Sequence, residues 1–206
     1  MKRLSILFAL LLAATVGYAQ SGAEVLSTLS RKIDAMGSYR IDFVLEMDSA
    51  TQSAKGFCEV DNPLYKIGVE VLDDYVMQGY DGEKLWSVDH NTMEATYDDY
   101  NPQSHSLFEN PTKAFDFSRE LFSVEGFGEA NAGEWVIELK PQAGVLTGID
   151  VVNLTVDKNS GLPTRLSYNM AGAEISIKIT SIKPKTFWEE HFVADIPDYY
   201  ELIDFR

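Results

Sequence analysis

The chain has 206 residues, 17 of them basic and 32 acidic, and a formal net charge of −15. This acidic excess argues against a nucleic-acid-binding protein and against attachment to anionic lipid through a polybasic patch, because both depend on clustered Lys and Arg. The hydrophobic fraction of 45% is too high for an acidic disordered tail. The composition therefore indicates a folded domain with an acidic exterior and a large apolar interior.

The first segment of the chain has the three parts of a secretory signal peptide. A basic start, Lys2-Arg3, precedes an apolar run over 4–16 and small residues before a cleavage site between Ala19 and Gln20. The run is shorter than the roughly 18–25 apolar residues that span a bilayer. We therefore expect 1–19 to be a cleaved signal peptide and 20–206 to form a single exported domain.

An amphipathic helix and a long strand are predicted at the start of this domain. Apolar residues recur at helical spacing from Val25 to Met36, and Gly37 stands where a helix stop is expected. From 39 to 48, apolar and polar residues alternate, which is typical of a strand with one apolar face. The apolar positions of this strand are Tyr39, Ile41, Phe43, Leu45 and Met47.

A meander of shorter strands follows. Asp81-Gly82 has the sequence of a hairpin turn between two of these strands. The strands are predicted at 54–60, 64–72, 75–80, 83–89 and 92–98.

The pattern between Tyr100 and Phe122 becomes helical. Asn110-Pro111 is typical of a helix start, and apolar residues through Phe115 to Phe122 keep a helical spacing. A second block of strands is predicted at 134–140, 149–157, 162–170 and 173–183.

This order of elements predicts an α+β fold. We expect one large curved antiparallel sheet, an incomplete β-barrel of about ten to eleven strands, with helices covering its open side.

The sequence contains no recognisable catalytic or metal-binding motif. His90, His105 and His191 are isolated from one another, and Glu189-Glu190-His191 is interpreted as a solvated charged stretch. Cys58 lies in a strand pattern and is interpreted as a small buried hydrophobe. We therefore expect no catalytic residue, no metal and no cofactor, and predict that the protein is not an enzyme. A hydrolase with an unrecognised site is an alternative.

One short segment resembles a known family. Asp81-Gly82 followed by Leu85-Trp86 resembles the Asp-Gly-x-x-Leu-Trp hairpin of LolA-type outer-membrane lipoprotein carriers. Weaker similarity extends over essentially all of 20–206. The resemblance implies a periplasmic protein with an incomplete antiparallel barrel, which holds lipoprotein acyl chains beneath a helical lid.

The resemblance also implies partners. These are lipoprotein acyl chains or another lipid, an inner-membrane release complex and an outer-membrane receptor. The protein itself is expected to be a monomer that contacts membranes only transiently. The acidic exterior is consistent with docking to basic partner surfaces. One departure concerns Asn62, which stands where the carriers have an Arg before the Pro that ties the sheet to the lid. This departure puts lid opening in the carrier style in doubt.

The predicted lipid site is an apolar trough on one face of the sheet. The long strand supplies one stripe of side chains, the 64–72 strand supplies a second, Trp86 is the family-matched aromatic, and two further aromatics are expected beneath the lid. A filled structural core is the alternative explanation for the same pattern. The leading function is a periplasmic carrier of lipoproteins, and the alternative is a non-transporting lipid- or lipoprotein-binding sensor of the same fold. The predicted lining residues are Tyr39, Ile41, Phe43, Leu45, Met47, Tyr65, Ile67, Val69, Val71, Trp86, Phe115 and Phe122.

Overall fold

A computed structural model of the chain describes residues 21–47, 53–71, 74–101, 115, 121–143, 149–170 and 172–206. Its helical elements are α1 (Gly22–Asp34) and a short 3₁₀ helix (Glu189–Phe192). The strands are β1 (Ser38–Met47), β2 (Ser53–Asp61), β3 (Leu64–Val71), β4 (Asp74–Tyr80), β5 (Leu85–Asp89), β6 (Glu94–Asp98), β7 (Phe122–Asn131), β8 (Glu134–Pro141), β9 (Val152–Asp157), β10 (Pro163–Met170), β11 (Ala173–Pro184) and β12 (Glu201–Asp204).

The strands form a single open sheet. Their order is β12-β6-β5-β4-β3-β2-β1-β11-β10-β9-β8-β7, so β1, the first strand in the described residues, lies near the middle and pairs with both β2 and β11. Neighbours are antiparallel except β12, which runs parallel to β6. The predicted fold class is confirmed, with 12 strands in place of the expected ten to eleven.

The two strands that the sequence pattern missed are β7 and β12. Gly126 and Gly128 interrupt the alternation of β7, and its register with β8 shifts twice. Only four residues form β12, too few for a period-two pattern to be recognised.

Helix α1 lies where the apolar periodicity predicts a helix, and residues at both ends account for its limits. Ser21 and Glu24 form a capping box at its N-terminus, each side chain bonding the other residue's backbone N–H. The helix stops at Ala35, and Gly37 takes a positive φ of 66° that only glycine adopts without strain. Its buried side is Gly22, Val25, Leu26, Leu29 and Ile33.

The sheet has two faces with different covers. We call the face that carries Ile41 the inner face, because its side chains form one core with those of α1. The opposite face, which carries Glu59, is the outer face. On the inner side α1 approaches β7 so closely that a Cβ added at Gly22 would lie 3.0 Å from Val124 and Phe127.

The predicted helical segment falls largely outside the described residues. Within it the structure describes Tyr100, Asn101, Phe115, Leu121 and Phe122. The helical assignment of Phe122 is wrong, because this residue begins β7 and contributes to the sheet. Among the described residues, no helix has the length and apolarity needed to cross a bilayer.

Candidate functional site

The inner face is a continuous apolar surface built from both halves of the chain. Ile41 of β1 pairs with Cys58 of β2 on one side and with Ile182 of β11 on the other. Paired residues in neighbouring strands project from the same side of a sheet. By the same pairing, one row of side chains on this face crosses β11, β10, β9 and β8. Its members are Ile177, Leu166, Leu154 and Ile137.

Most of the predicted lining residues meet on this face. Ile41 and Phe43 are buried in the core, and the Phe115 ring lies 5.5 Å from the Phe43 ring, centroid to centroid. Phe122 belongs to the same core from β7, at the far edge of the sheet. Tyr65, on β3, is also buried.

Another group of predicted residues is only partly buried. Tyr39, Leu45, Ile67 and Val69 pack against the core yet retain partial exposure. Val71, at the end of β3, is 42% exposed. The side chain of Met47 lies outside the described part of the structure.

Trp86 lies apart from the other predicted lining residues. Leu85 pairs with Tyr80 and faces inward, so its neighbour Trp86 projects from the outer face. There Trp86 is 1% exposed and packs with Val88 and Ala95. The Asp-Gly-x-x-Leu-Trp segment thus supplies one side chain to each face.

The turn that begins this segment is held by its own side chain. Asp81 Oδ1 accepts hydrogen bonds from the backbone N–H groups of Glu83 (3.0 Å) and Lys84 (2.9 Å). Gly82 has a φ of +102°. The predicted hairpin is confirmed, with four residues between β4 and β5.

Burial raises the pKa of the ionisable groups on the inner face that show a shift. Burial raises the pKa of the Cys58 thiol and of the Tyr65 and Tyr168 phenols. Cys58 is 0% exposed, as expected for a small buried hydrophobe. The paired inner-face positions of β3, β2, β1, β11, β10, β9 and β8 carry no charged side chain in the described residues, so this part of the face suits an apolar ligand.

The predicted lining residues left out the half of this surface that β8, β9, β10 and β11 supply. Ile175, Ile177 and Ile179 of β11 alternate with Ser176 and Lys178. That alternation is as clear as the one in β1 and was a usable signal. The isoleucines are buried beside Leu45 and Phe43.

The outer face carries an ionic cluster that the sequence did not predict. Glu59 is 2% exposed, and its Oε1 accepts a hydrogen bond from Arg40 at 2.8 Å and from Lys185 at 2.5 Å. Its Oε2 lies 2.7 Å from His191 Nε2 and 3.8 Å from Lys66 Nζ. Burial alone would raise the pKa of Glu59, but the hydrogen bonds from Lys185, His191 and Arg40 outweigh it and lower the pKa to about 2.

This cluster fixes the segment 185–200, which we call the C-terminal strap, onto the outer face. Lys66 Nζ donates to the His191 carbonyl at 3.1 Å, and Trp86 Nε1 donates to the Phe192 carbonyl at 2.8 Å. Tyr200 packs near Trp86, and its hydroxyl lies 2.7 Å from His90 Nδ1. The interpretation of His191 as solvated is wrong, because its ring contacts Phe187, Trp188 and Phe192 and its side chain is 8% exposed.

In the described residues, Asn62 makes no contact from the sheet to a helix of the kind that the Arg makes in the carriers. Asn62 is exposed, and Asp61 beside it accepts a hydrogen bond from the Ser38 hydroxyl at 2.7 Å. That bond joins β2 to β1 within the sheet. The described residues contain no group of three or more His, Cys, Asp and Glu side chains that could hold a metal ion.

Several solved structures are similar to this chain. A protein from Thermus thermophilus matches with a TM-score of 0.54 and 13% identity, over 90% of this chain and 99% of its own. A LolA superfamily protein from Nitrosomonas europaea matches with a TM-score of 0.47 and 10% identity, over 85% of this chain and 99% of its own. The lipoprotein LppX of Mycobacterium tuberculosis matches with a TM-score of 0.44 and 10% identity, over 81% of this chain and 99% of its own.

At these identities the comparisons concern the fold alone. The resemblance predicted an open antiparallel sheet with helical cover, and the structure has one open sheet with a helix packed on the inner face. No family model and no curated protein matches the sequence.

Proposed function

We propose that the protein is an exported periplasmic carrier, not an enzyme, that holds the acyl chains of lipoproteins or similar lipid cargo against the inner face. The observation that carries this proposal is the gradation of burial along that face. Ile41 and Phe43 are buried, whereas Leu45, Ile67 and Val69, on the same face, retain partial exposure. A buried floor with a partly exposed apolar margin is what an acyl chain requires.

Binding an acyl chain at such a site requires no catalytic group. Each methylene removed from water contributes roughly 0.8 kcal/mol, so a long acyl chain gains enough from burial to bind without a charged anchor. The part of the inner face formed by β3, β2, β1, β11, β10, β9 and β8 is uncharged in the described residues, which avoids the cost of desolvating charged groups on binding. Reversible delivery then depends on the cover over the site moving aside.

Introducing a carboxylate into the margin tests the site directly. We expect Ile67→Glu and Val69→Glu to weaken binding of a fluorescent fatty acid by about tenfold or more, because an ionised group would be desolvated beside the chain. Lys55→Glu is the matched control, since it places the same carboxylate on the outer face of the neighbouring strand β2. Equal binding by all three variants and the unchanged protein would contradict the proposed location.

Cargo can be identified independently of any probe. Protein purified from its native periplasm should carry extractable lipid in mass spectrometry after stringent washing. Absence of lipid, together with no protection of a fluorescent fatty acid, would contradict the carrier function.

The position of Asn62 favours one alternative, a binding protein of the same fold that senses lipoproteins without transporting them. Asp61 bonds to Ser38 within the sheet, and the Arg that the resemblance implies at this point is missing. A transfer assay separates the two functions. A carrier passes a bound lipoprotein to acceptor vesicles in the presence of a receptor, whereas a sensor retains it.

A further inference from the structure

The two edges of the sheet differ in how they are protected. At one edge, β7 has two register shifts and contacts α1 through Val124 and Phe127. Such irregularities commonly prevent an edge strand from pairing with another chain. At the other edge, β12 pairs with β6 over four consecutive positions without a shift.

The exposed side of β12 retains hydrogen-bonding groups. The N–H of Glu201 donates to the Met93 carbonyl at 3.0 Å, and the N–H of Phe205 donates to the Tyr97 carbonyl at 2.9 Å. Backbone groups alternate in direction along a strand, so those of Leu202 and Asp204 point away from β6. In the described part of the chain no further strand pairs with β12.

The same edge exposes large apolar side chains. Leu202 is 49% exposed and Ile203 37%, and they project from opposite sides of β12. Phe205 at 64% and Tyr199 at 75% extend this apolar surface beyond the strand. An added strand with apolar side chains would therefore find contacts on both faces of the sheet.

The charge of the edge selects the kind of partner. Glu201 pairs with Glu94 in the parallel register, so two carboxylates lie side by side on adjacent strands. Like charges opposite each other are unfavourable, and a cation beside Glu201, on the side of β12 away from β6, would reduce the repulsion. Arg206 is the one basic residue among 94–99 and 195–206, and it is bonded to Asp204 at 2.7 Å.

A second copy of this chain is a poor occupant of the edge. Antiparallel pairing of two β12 strands about Leu202 and Ile203 would place Glu201 opposite Asp204 of the second copy. That arrangement adds further like-charge contacts to those already present.

We propose that β12 is a docking edge that accepts an extended segment of a partner protein by strand addition, and that this segment alternates apolar residues with Lys or Arg. Main-chain hydrogen bonds from Leu202 and Asp204 would supply affinity, and the carboxylates of Glu94 and Glu201 would select a basic chain. This docking does not depend on lipid binding at the inner face.

The probe is a short fluorescent peptide of alternating Lys and Val, with a Glu–Val peptide for comparison. We expect the Lys–Val peptide to bind saturably and to slow amide hydrogen exchange at Leu202 and Asp204, the amides directed away from β6. Exchange at Glu201 and Phe205 should change little, since these amides already donate to backbone carbonyls on the β6 side.

Two sets of variants make the test specific. Leu202→Pro removes an outward N–H and should weaken binding about tenfold or more, with β12 still shown to be paired by slow exchange at Glu201. Glu94→Lys/Glu201→Lys should reverse the preference towards the Glu–Val peptide. Glu125→Lys/Glu138→Lys, which makes the same charge change at exposed positions of β7 and β8, should leave both affinities unchanged.

Three outcomes would overturn the proposal. One is equal affinity of Leu202→Pro and the unchanged protein, which means that the peptide binds by charge alone. Another is binding without slower exchange at Leu202 and Asp204. The last is slower exchange there on raising the protein concentration without peptide, which identifies a second copy as the occupant.

Discussion

At the scale of the residue, Glu59 shows how a buried charge is retained in this sheet. Its side chain is 2% exposed, which would be costly for an unpaired carboxylate. Arg40 and Lys66 approach it from the sheet, and Lys185 and His191 approach it from the strap. The cluster is therefore a joint between two parts of the chain more than 100 residues apart in sequence.

Replacing this carboxylate by an amide tests the joint. Glu59→Gln leaves several cations without their counter-charge, and we expect a loss of about 3 kcal/mol in the free energy of unfolding. Urea unfolding at pH 7 measures it. Glu46→Gln is the control, because Glu46 contacts Arg165 at the surface, 3.2 Å away and 45% exposed, and should cost less than about 1 kcal/mol. Equal losses in the two variants would contradict a buried ionic role.

A second residue-scale prediction concerns Gly56, where the Phe43 ring lies across the neighbouring strand. A Cβ at Gly56 would lie 2.4 Å from Phe43 Cζ and 2.9 Å from the Gly68 carbonyl oxygen. We expect Gly56→Ala to lower the free energy of unfolding by about 1–3 kcal/mol, because the ring and the backbone must both shift. Thermal unfolding measures the change.

Gly128 provides the matched control for Gly56. It also lies in a strand, and nothing lies within 4 Å of the Cβ that alanine would add. Gly128→Ala should therefore be neutral or slightly stabilising. If both alanine variants lose the same stability, close packing at Gly56 is not the cause.

The burial of a single residue could be predicted from the sequence where it depends on the residues next to it in the chain. Cys58 was placed correctly as a buried hydrophobe, since its neighbours in β2 alternate. Glu59 and His191 were missed, because their contact joins segments 132 residues apart and no local pattern reports such a pairing.

At the scale of the element, the C-terminal strap covers the outer face much as α1 covers the inner one. It reaches from the end of β11 past Trp86 to the start of β12, and it includes the 3₁₀ helix Glu189–Phe192. The bond from Trp86 Nε1 to the Phe192 carbonyl is buried, so its loss leaves an unsatisfied carbonyl.

Trp86→Phe separates this hydrogen bond from the rest of the ring's packing. We expect a loss of roughly 1–3 kcal/mol and faster amide exchange in the strap and β12 than in β1 or β11. Trp135→Phe is a suitable control, because the Trp135 ring packs with the inner core and lies beneath Lys158 Nζ, 4.0 Å from the ring centroid. Uniformly faster exchange in Trp86→Phe would show that the strap is not a separate unit.

Elements were predicted well wherever periodicity was sustained. α1 and the strands through β6 were found near their observed positions, and β8 to β11 were likewise found. β7 and the strap were not, since β7 is interrupted by glycines and the strap depends on contacts with distant strands. The parallel pairing of β12 with β6 was not predicted, because β12 itself was not recognised.

At the scale of the whole molecule, acid stability should depend on the outer face. The pKa of Glu59 is lowered from an ordinary value of 4.5 to about 2. Its ionisation therefore stabilises the fold fully above about pH 4.5, and this contribution disappears as the pH falls from about 4.5 to about 2. The shift corresponds to a few kcal/mol, on the order of 3.

Urea unfolding between pH 7 and pH 2 measures this dependence. The unchanged protein should lose stability most steeply below about pH 4.5, and Glu59→Gln should show a shallower decline over the same range. Parallel curves for the two proteins would assign the acid sensitivity to other carboxylates.

The architecture as a whole followed from alternation and element order, and the inner apolar face followed with it. The sequence did not show which side chains belong to the inner face and which to the outer face. Trp86 was assigned to the inner face from its motif, yet the turn at Asp81-Gly82 and the pairing of β4 with β5 direct it outward. A side chain's face depends on register, and register is not fixed by composition.

The position of β1 has a consequence for how the chain folds. β1 precedes the other described strands in the chain, yet its partners in β11 lie 128 to 145 residues later, and their pairing joins the two meanders at the middle of the sheet. Closing so long a loop delays this pairing relative to the local hairpins. The strands from β1 to β6 can therefore assemble as a meander while one side of β1 is still unpaired. During that interval the future centre of the sheet is its most aggregation-prone edge.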